Sequence, residues 1–217
     1  MKQATCYQRG LSMIELMIGM AIALFIAAAG GTLLAGHLRE NRALLLEARL
    51  TQDLRTAADV ITRDLRRAGY WGHAGTGANP YAAIAPATGS SDTVSLRYSM
   101  DATENDAVDS NEQFGFRLRG GAIELQLGAG NWQTLTDAGT LTVTAFSVTP
   151  EVQDLSLASF CPGACATGSS STCPPRQQVR SLTVAITAKL VSDARVERSV
   201  HSNVRVRSDA VVGACSV

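Results

Sequence analysis

The sequence predicts an α+β protein in which a long N-terminal helix, transmembrane and then amphipathic, packs on an antiparallel β-sheet head. Three observations predict it. Residues Leu11 to Leu38 are apolar with Glu15 as their only formal charge, apolar residues then recur at spacings of three and four from Leu46 to Ala68, and beyond Ser91 they alternate at period two. These are the patterns of a membrane-length helix, an amphipathic helix and half-buried strands. The chain has 217 residues, 46% hydrophobic and 18% charged, room for one ordinary domain and an extension but not for a large multidomain enzyme. Its 19 basic and 19 acidic residues balance, so the excess of positive charge typical of a dedicated nucleic-acid binder is missing.

The first element is the apolar helix. Leu16 to Gly36 contains 21 residues without a formal charge, and at 1.5 Å per residue such a run reaches about 30 Å, enough to cross the hydrocarbon core of a bilayer. A secretory signal peptide has an apolar stretch of only about 7–15 residues followed by a break. Here Ala27-Ala28-Ala29 supplies small residues, but the helical pattern runs straight through them. A plain membrane anchor accounts for the length and leaves Glu15 unexplained, because a carboxylate inside lipid costs free energy. Gly30-Gly31 and Gly36 interrupt the run; they suit close helix packing, or a helix that stretches at Gly30-Gly31 on leaving the bilayer.

Arg9-Gly10, then Leu11-Ser12-Met13-Ile14-Glu15-Leu16 and an uninterrupted apolar helix, resemble the class III leader and N-terminal segment of type IV pilins and pseudopilins. The resemblance implies that a prepilin peptidase cuts between Gly10 and Leu11 and N-methylates Leu11, where the family usually has Phe. Glu15 then becomes the fifth residue of the mature chain and meets the N-terminal amine of a neighbouring subunit. Independently, Lys2 and Arg9 precede the apolar run, which holds the N-terminus on the cytoplasmic side and sends the remainder across the inner membrane in a single pass. An amine and a carboxylate attract far more strongly in an apolar bundle than in water, so their pairing selects an axial register between subunits.

The helix continues beyond the membrane. Leu46, Leu50, Leu54, Ala57, Ile61, Leu65 and Ala68 form one stripe, and Arg49/Asp53, Arg55/Asp59 and Asp59/Arg63 stand four apart on the opposite side. Arg66-Arg67 suit the last turn and Gly69 a stop. The expected organisation is a leader over 1–10, a transmembrane and filament-core helix over 11–38, an amphipathic helix over 39–69 and a β-rich periplasmic head over 70–217. In the head, strands are expected at Asp92 to Tyr98, Phe114 to Leu118, Ala122 to Leu127 and Leu141 to Val148. The two strongest, Leu182 to Leu190 and Val196 to Val206, read as a hairpin joined near Ser192-Asp193-Ala194.

Arg63-Asp64-Leu65-Arg66-Arg67-Ala68-Gly69-Tyr70-Trp71-Gly72, followed by Ser91-Asp92-Thr93-Val94, resembles PilW-type minor pilins. The implied architecture is pilin-like, and the implied function is that of a structural subunit that assembles into or primes a type IV pilus in adhesion and twitching motility. The implied partners are the prepilin peptidase, other minor pilins, the major pilin and the inner-membrane assembly platform, and the chain moves from the inner membrane to the fibre. J-type pseudopilins of type II secretion share this size and plan and are the alternative.

Of five cysteines, Cys6 lies in the leader, leaving Cys161, Cys165, Cys173 and Cys215. An even set facing an oxidising periplasm favours disulfides, with three pairings open. The Cys-x3-Cys spacing of Cys161 and Cys165 lacks a matched second half for a zinc site. Asp101, Glu104, Asp106, Asp109 and Glu112 crowd a stretch read as a solvated loop, without the order of a calcium-binding helix–loop–helix. His37, His73 and His201 are scattered, and no phosphate loop or catalytic constellation is present. The expectation is therefore no enzyme, no cofactor and no metal. For a DNA-uptake subunit the candidate contacts are Arg176, Arg180, Arg195, Arg198, Arg205 and Arg207; their alternation within strands reads equally as a solvated sheet face, so no nucleic-acid partner is expected.

Overall fold

The computed structural model describes residues 12–74, 77–163, 165 and 173–215. Gly10 and Leu11 lie outside them, so the cleavage and methylation positions have no structural description. The helix α1 runs Met13–Arg67. By compactness the chain divides at Leu46/Glu47, and the second unit holds the C-terminal part of α1 together with the strands.

In the first unit the side chains from Met13 to Leu45 are exposed and the helix continues unbroken through Gly30-Gly31. In the second, α1 buries Leu50, Leu54, Ala57, Ile61 and Leu65, the stripe that the spacing predicts except for its first residue, Leu46, which is exposed. Fully burying each of the larger side chains contributes roughly 1.5–3 kcal/mol. On the opposite side, Arg49 and Asp53 approach to 3.8 Å. Gly69 takes φ +74° and its N–H donates to the Arg97 carbonyl at 2.8 Å. Only glycine adopts that conformation without strain, and the helix ends there.

The head contains two antiparallel sheets. The first has the order β1 (Thr93–Arg97), β2 (Gln113–Arg119), β3 (Ala122–Leu127), β4 (Trp132–Thr134). Its β2–β3 hairpin turns on Gly120 and Gly121, both at positive φ, the backbone that a two-residue turn of right-twisted strands requires. The second consists of β5 (Leu141–Ser156), β6 (Arg176–Leu190) and β7 (Glu197–Arg205), with β8 (Ala210–Val212) also paired to β6. The sheets meet where Ser91 and Val148 exchange backbone hydrogen bonds and the Val143 N–H reaches the Gly121 carbonyl. One core joins the α1 stripe to Val94, Leu96 and Phe116 of the first sheet and to Val148, Val184 and Ile186 of the second.

Two expectations change. The strand expected to end at Val148 continues to Ser156, and its partner begins at Arg176 rather than Leu182. Beyond Val148 the strand is exposed on both faces, so no apolar alternation marks it; the pairing from Thr149↔Thr183 to Ser156↔Arg176 carries it instead. The short strands β4 and β8 have too few residues to show a period.

Gly115 sits where β1, β2 and the Trp132 ring converge; a Cβ there would lie 2.7 Å from the Val94 carbonyl oxygen. Gly115→Ala is expected to cost about 1–3 kcal/mol through overpacking, read as a lower urea midpoint of the full chain in detergent. An unchanged midpoint would mean that β1 yields without loss.

Candidate functional site

The segment built for assembly is the first part of α1. It is long and apolar enough to cross a membrane, and among the described residues none of its most apolar stretch is buried. Such a surface requires either lipid or other helices around it. Glu15 is the only carboxylate between Ser12 and Leu38, and the Ser12 N–H donates to its Oε2 at 3.3 Å. An acidic group in the first turn also complements the helix dipole. Among the described residues no cation pairs with it. Among the described residues a Cβ added at Gly19, Gly30, Gly31 or Gly36 would meet nothing within 4 Å, so these glycines leave open strips along this part of the helix.

The acidic stretch after β1 is largely solvent-exposed, with Asp106 and Asp109 at the surface, and it also clamps the chain around it. Glu112 is fully buried and accepts hydrogen bonds from the backbone N–H groups of Met100 at 2.7 Å and Asp109 at 2.9 Å, with the Tyr81 hydroxyl at 2.9 Å. Burial pushes its carboxyl up, but these hydrogen bonds outweigh burial and hold it below the usual range. Glu104 accepts from the Gly72 N–H at 2.9 Å, and Asp106 from Trp71 Nε1 at 2.7 Å and from His73 Nδ1 at 2.9 Å. The His73 and Trp71 bonds hold the Asp106 carboxyl low. These carboxylates therefore fix the chain that leaves the helix, Tyr70-Trp71-Gly72-His73. Single-sequence reading missed this because the partners stand about 30 residues apart. Among the described residues no group of three or more His, Cys, Asp or Glu is placed to hold a metal.

The six candidate DNA-contacting arginines do not form an open basic face. Arg176 meets Asp154 at 3.6 Å, Arg195 meets Asp193 at 3.0 Å, Arg205 meets Asp209 at 2.6 Å, and Arg198 pairs with Glu47 on α1. Arg180 is partly buried and donates to the carbonyls of Ala82 at 2.6 Å and Ser208 at 2.8 Å; burial lowers its pKa, with Asp209 opposing. Of the six, Arg207 is exposed and among the described residues forms no ion pair.

The four cysteines pair as Cys161–Cys215 and Cys165–Cys173. The first ties the chain end to the distal end of the β5–β6 ribbon, and the second closes a local loop; a crosslink stabilises by restricting the unfolded chain.

The family described as "Prepilin peptidase-dependent protein B" matches residues 43–206, and the "Prokaryotic N-terminal methylation motif" matches residues 6–31. The first covers the head with the C-terminal part of α1, and the second covers the leader and most of the apolar helix. No curated protein and no solved structure matches the chain.

Proposed function

The chain belongs to the prepilin peptidase-dependent protein B family and is a type IV pilin-like or pseudopilin subunit; from that premise we propose that it is a minor pilin of the PilW type that primes or enters a type IV pilus. The observation that carries the reading is the coincidence of the methylation motif over residues 6–31 with an apolar helical run that is unburied among the described residues and bears one carboxylate, Glu15.

In this reading the prepilin peptidase cuts between Gly10 and Leu11 and methylates Leu11. Lys2 and Arg9 hold the N-terminus in the cytoplasm, and the head faces the periplasm, the compartment in which Cys161–Cys215 and Cys165–Cys173 persist. Residues 11–38 anchor the subunit in the inner membrane and then pass into the filament core, guided by the assembly platform. Glu15 meets a neighbour's N-terminal amine, which neutralises two groups that are each costly to bury alone. The head contacts other minor pilins and the major pilin.

Intact mass spectrometry of the protein from its native membranes tests the processing. The expected mass lacks residues 1–10, carries one added methyl group and lacks four hydrogens lost to two disulfides, and Gly10→Ala retains the leader. A wild-type mass that includes Met1 to Gly10 would return the chain to the plain-anchor reading. Co-purification with secretion components instead of pilus components would make it a pseudopilin of type II secretion.

A further inference from the structure

Among the described residues the second sheet has an unpaired edge. Val148 exchanges its backbone hydrogen bonds with Ser91 on the side of β5 away from β6. Directions alternate along a strand, and the β5–β6 register runs without a shift from Val148↔Val184 to Ser156↔Arg176. The main-chain groups of Pro150, Val152, Asp154 and Ser156 therefore point the same way as those of Val148. Among the described residues none of them finds a backbone partner there. Thr149 to Ser156 spans about 26 Å of strand. Pro150 lacks an N–H at a position where β6 does not need one, as proline does on edge strands, whereas Val152 and Asp154 keep both donor and acceptor.

Two features beside the edge point to an occupant. A groove of about 340 Å³ runs between it and the segment 82–87, lined by Ala82, Ile84, Pro86, Pro150, Val152 and Leu182. Arg180 braces that wall through its bond to the Ala82 carbonyl. Val152 and Leu155 are apolar side chains that remain 47% and 43% exposed. Glu151 also lines the groove, and among the described residues no cation pairs with it.

We propose that the outer edge of β5 from Pro150 to Ser156, with the adjoining groove, is a strand-addition site for an extended segment of a neighbouring pilin-like subunit. Main-chain hydrogen bonds to Val152 and Asp154 set the register, an aliphatic side chain enters the groove, and a basic residue meets Glu151. A second copy of this chain suits the edge worse. Its own edge, Thr149 to Ser156, carries no basic residue to meet Glu151, and Glu151 opposite Glu151 would destabilise the pair. The edge itself stands on main-chain geometry, while the pilin-like nature of the partner rests on the function proposed above.

The test places a photoreactive benzoylphenylalanine at Val152, and separately at Met17, in the full-length chain in its native membranes. Adducts are identified by sequencing the crosslinked peptides. The expected result is an adduct from Val152 to a peptide in the head of another subunit that carries its own prepilin N-terminal segment. Moving the probe to Leu155 and introducing Val152→Pro, which removes an outward N–H and no bond to β6, should lower that adduct at least fivefold at an unchanged urea midpoint. Gln153→Pro, which removes a bond to β6, should instead lower the midpoint. Adducts from Met17 without any from Val152 overturn the edge site and leave the pilin reading standing; adducts from neither position overturn both. A Val152 adduct to a second copy, or to the chain's own segment between Cys165 and Cys173, also overturns the proposal.

Discussion

Glu112→Ala is expected to destabilise the head by about 3–5 kcal/mol, enough to unfold a marginally stable domain. The substitution orphans the N–H groups of Met100 and Asp109 in a fully buried site, each at a cost of about 1–3 kcal/mol, and leaves a cavity as well. It also frees the Tyr81 hydroxyl, which retains the Ala107 carbonyl at 2.7 Å. Urea unfolding of the full chain in detergent measures the loss, and a change below about 1 kcal/mol would show that water replaces the carboxylate without penalty. Glu112→Gln keeps the shape but turns an amide NH₂ toward a backbone N–H, so an intermediate loss is expected.

The same site gives a pH dependence whose sign follows from its hydrogen bonds. The folded-state pKa of Glu112 is depressed, so its contribution is fully present above the unfolded value of about 4.3 and is lost as pH falls through the folded value. The wild-type urea midpoint is therefore expected to drop below about pH 4. Glu112→Gln should show a smaller acid loss, since Asp106 and Asp137 are also held low by their hydrogen bonds and continue to titrate.

Glu15→Ala is expected to leave membrane insertion intact and to reduce incorporation into fibres at least tenfold. The uncharged run Leu16 to Gly36 still spans the bilayer, so insertion does not depend on the carboxylate. Assembly does, under the proposed pairing: removing one partner leaves the amine uncompensated in an apolar bundle at a cost of about 3–5 kcal/mol, whereas a tenfold loss needs only about 1.4 kcal/mol. Quantifying the subunit in sheared fibres against the membrane fraction decides it. Normal incorporation would reject the pairing, and loss of the protein from membranes would assign Glu15 to insertion instead.

Much of the candidate site is legible in the sequence because it is local. The apolar run, Glu15 within it, the stripe from Leu50 to Ala68 and the stop at Gly69 all depend on residues within a few turns of one another, where helical periodicity places them on one face. The strands β3 and β1 were visible for the same reason, since each alternates over its own length.

What escaped depends on partners distant along the chain. Glu112 looks like any loop carboxylate until Tyr81, Met100 and Asp109 surround it. The continuation of β5 to Ser156 is defined by backbone pairing with β6, to which exposed side chains add no pattern. The choice of Cys161–Cys215 and Cys165–Cys173 among three pairings follows from which thiols the sheet brings together.

By itself, then, the sequence determined the membrane-length helix, its single carboxylate, the amphipathic continuation and an antiparallel head, because helix and strand periods are written within short windows. Only the tertiary structure decided that the head has two sheets, that five of the six candidate arginines are engaged by carboxylates or carbonyls, and that among the described residues one strand edge lies open. Those properties belong to pairs of residues tens of positions apart, and burial and hydrogen bonding between them are settled by the packing of the whole chain.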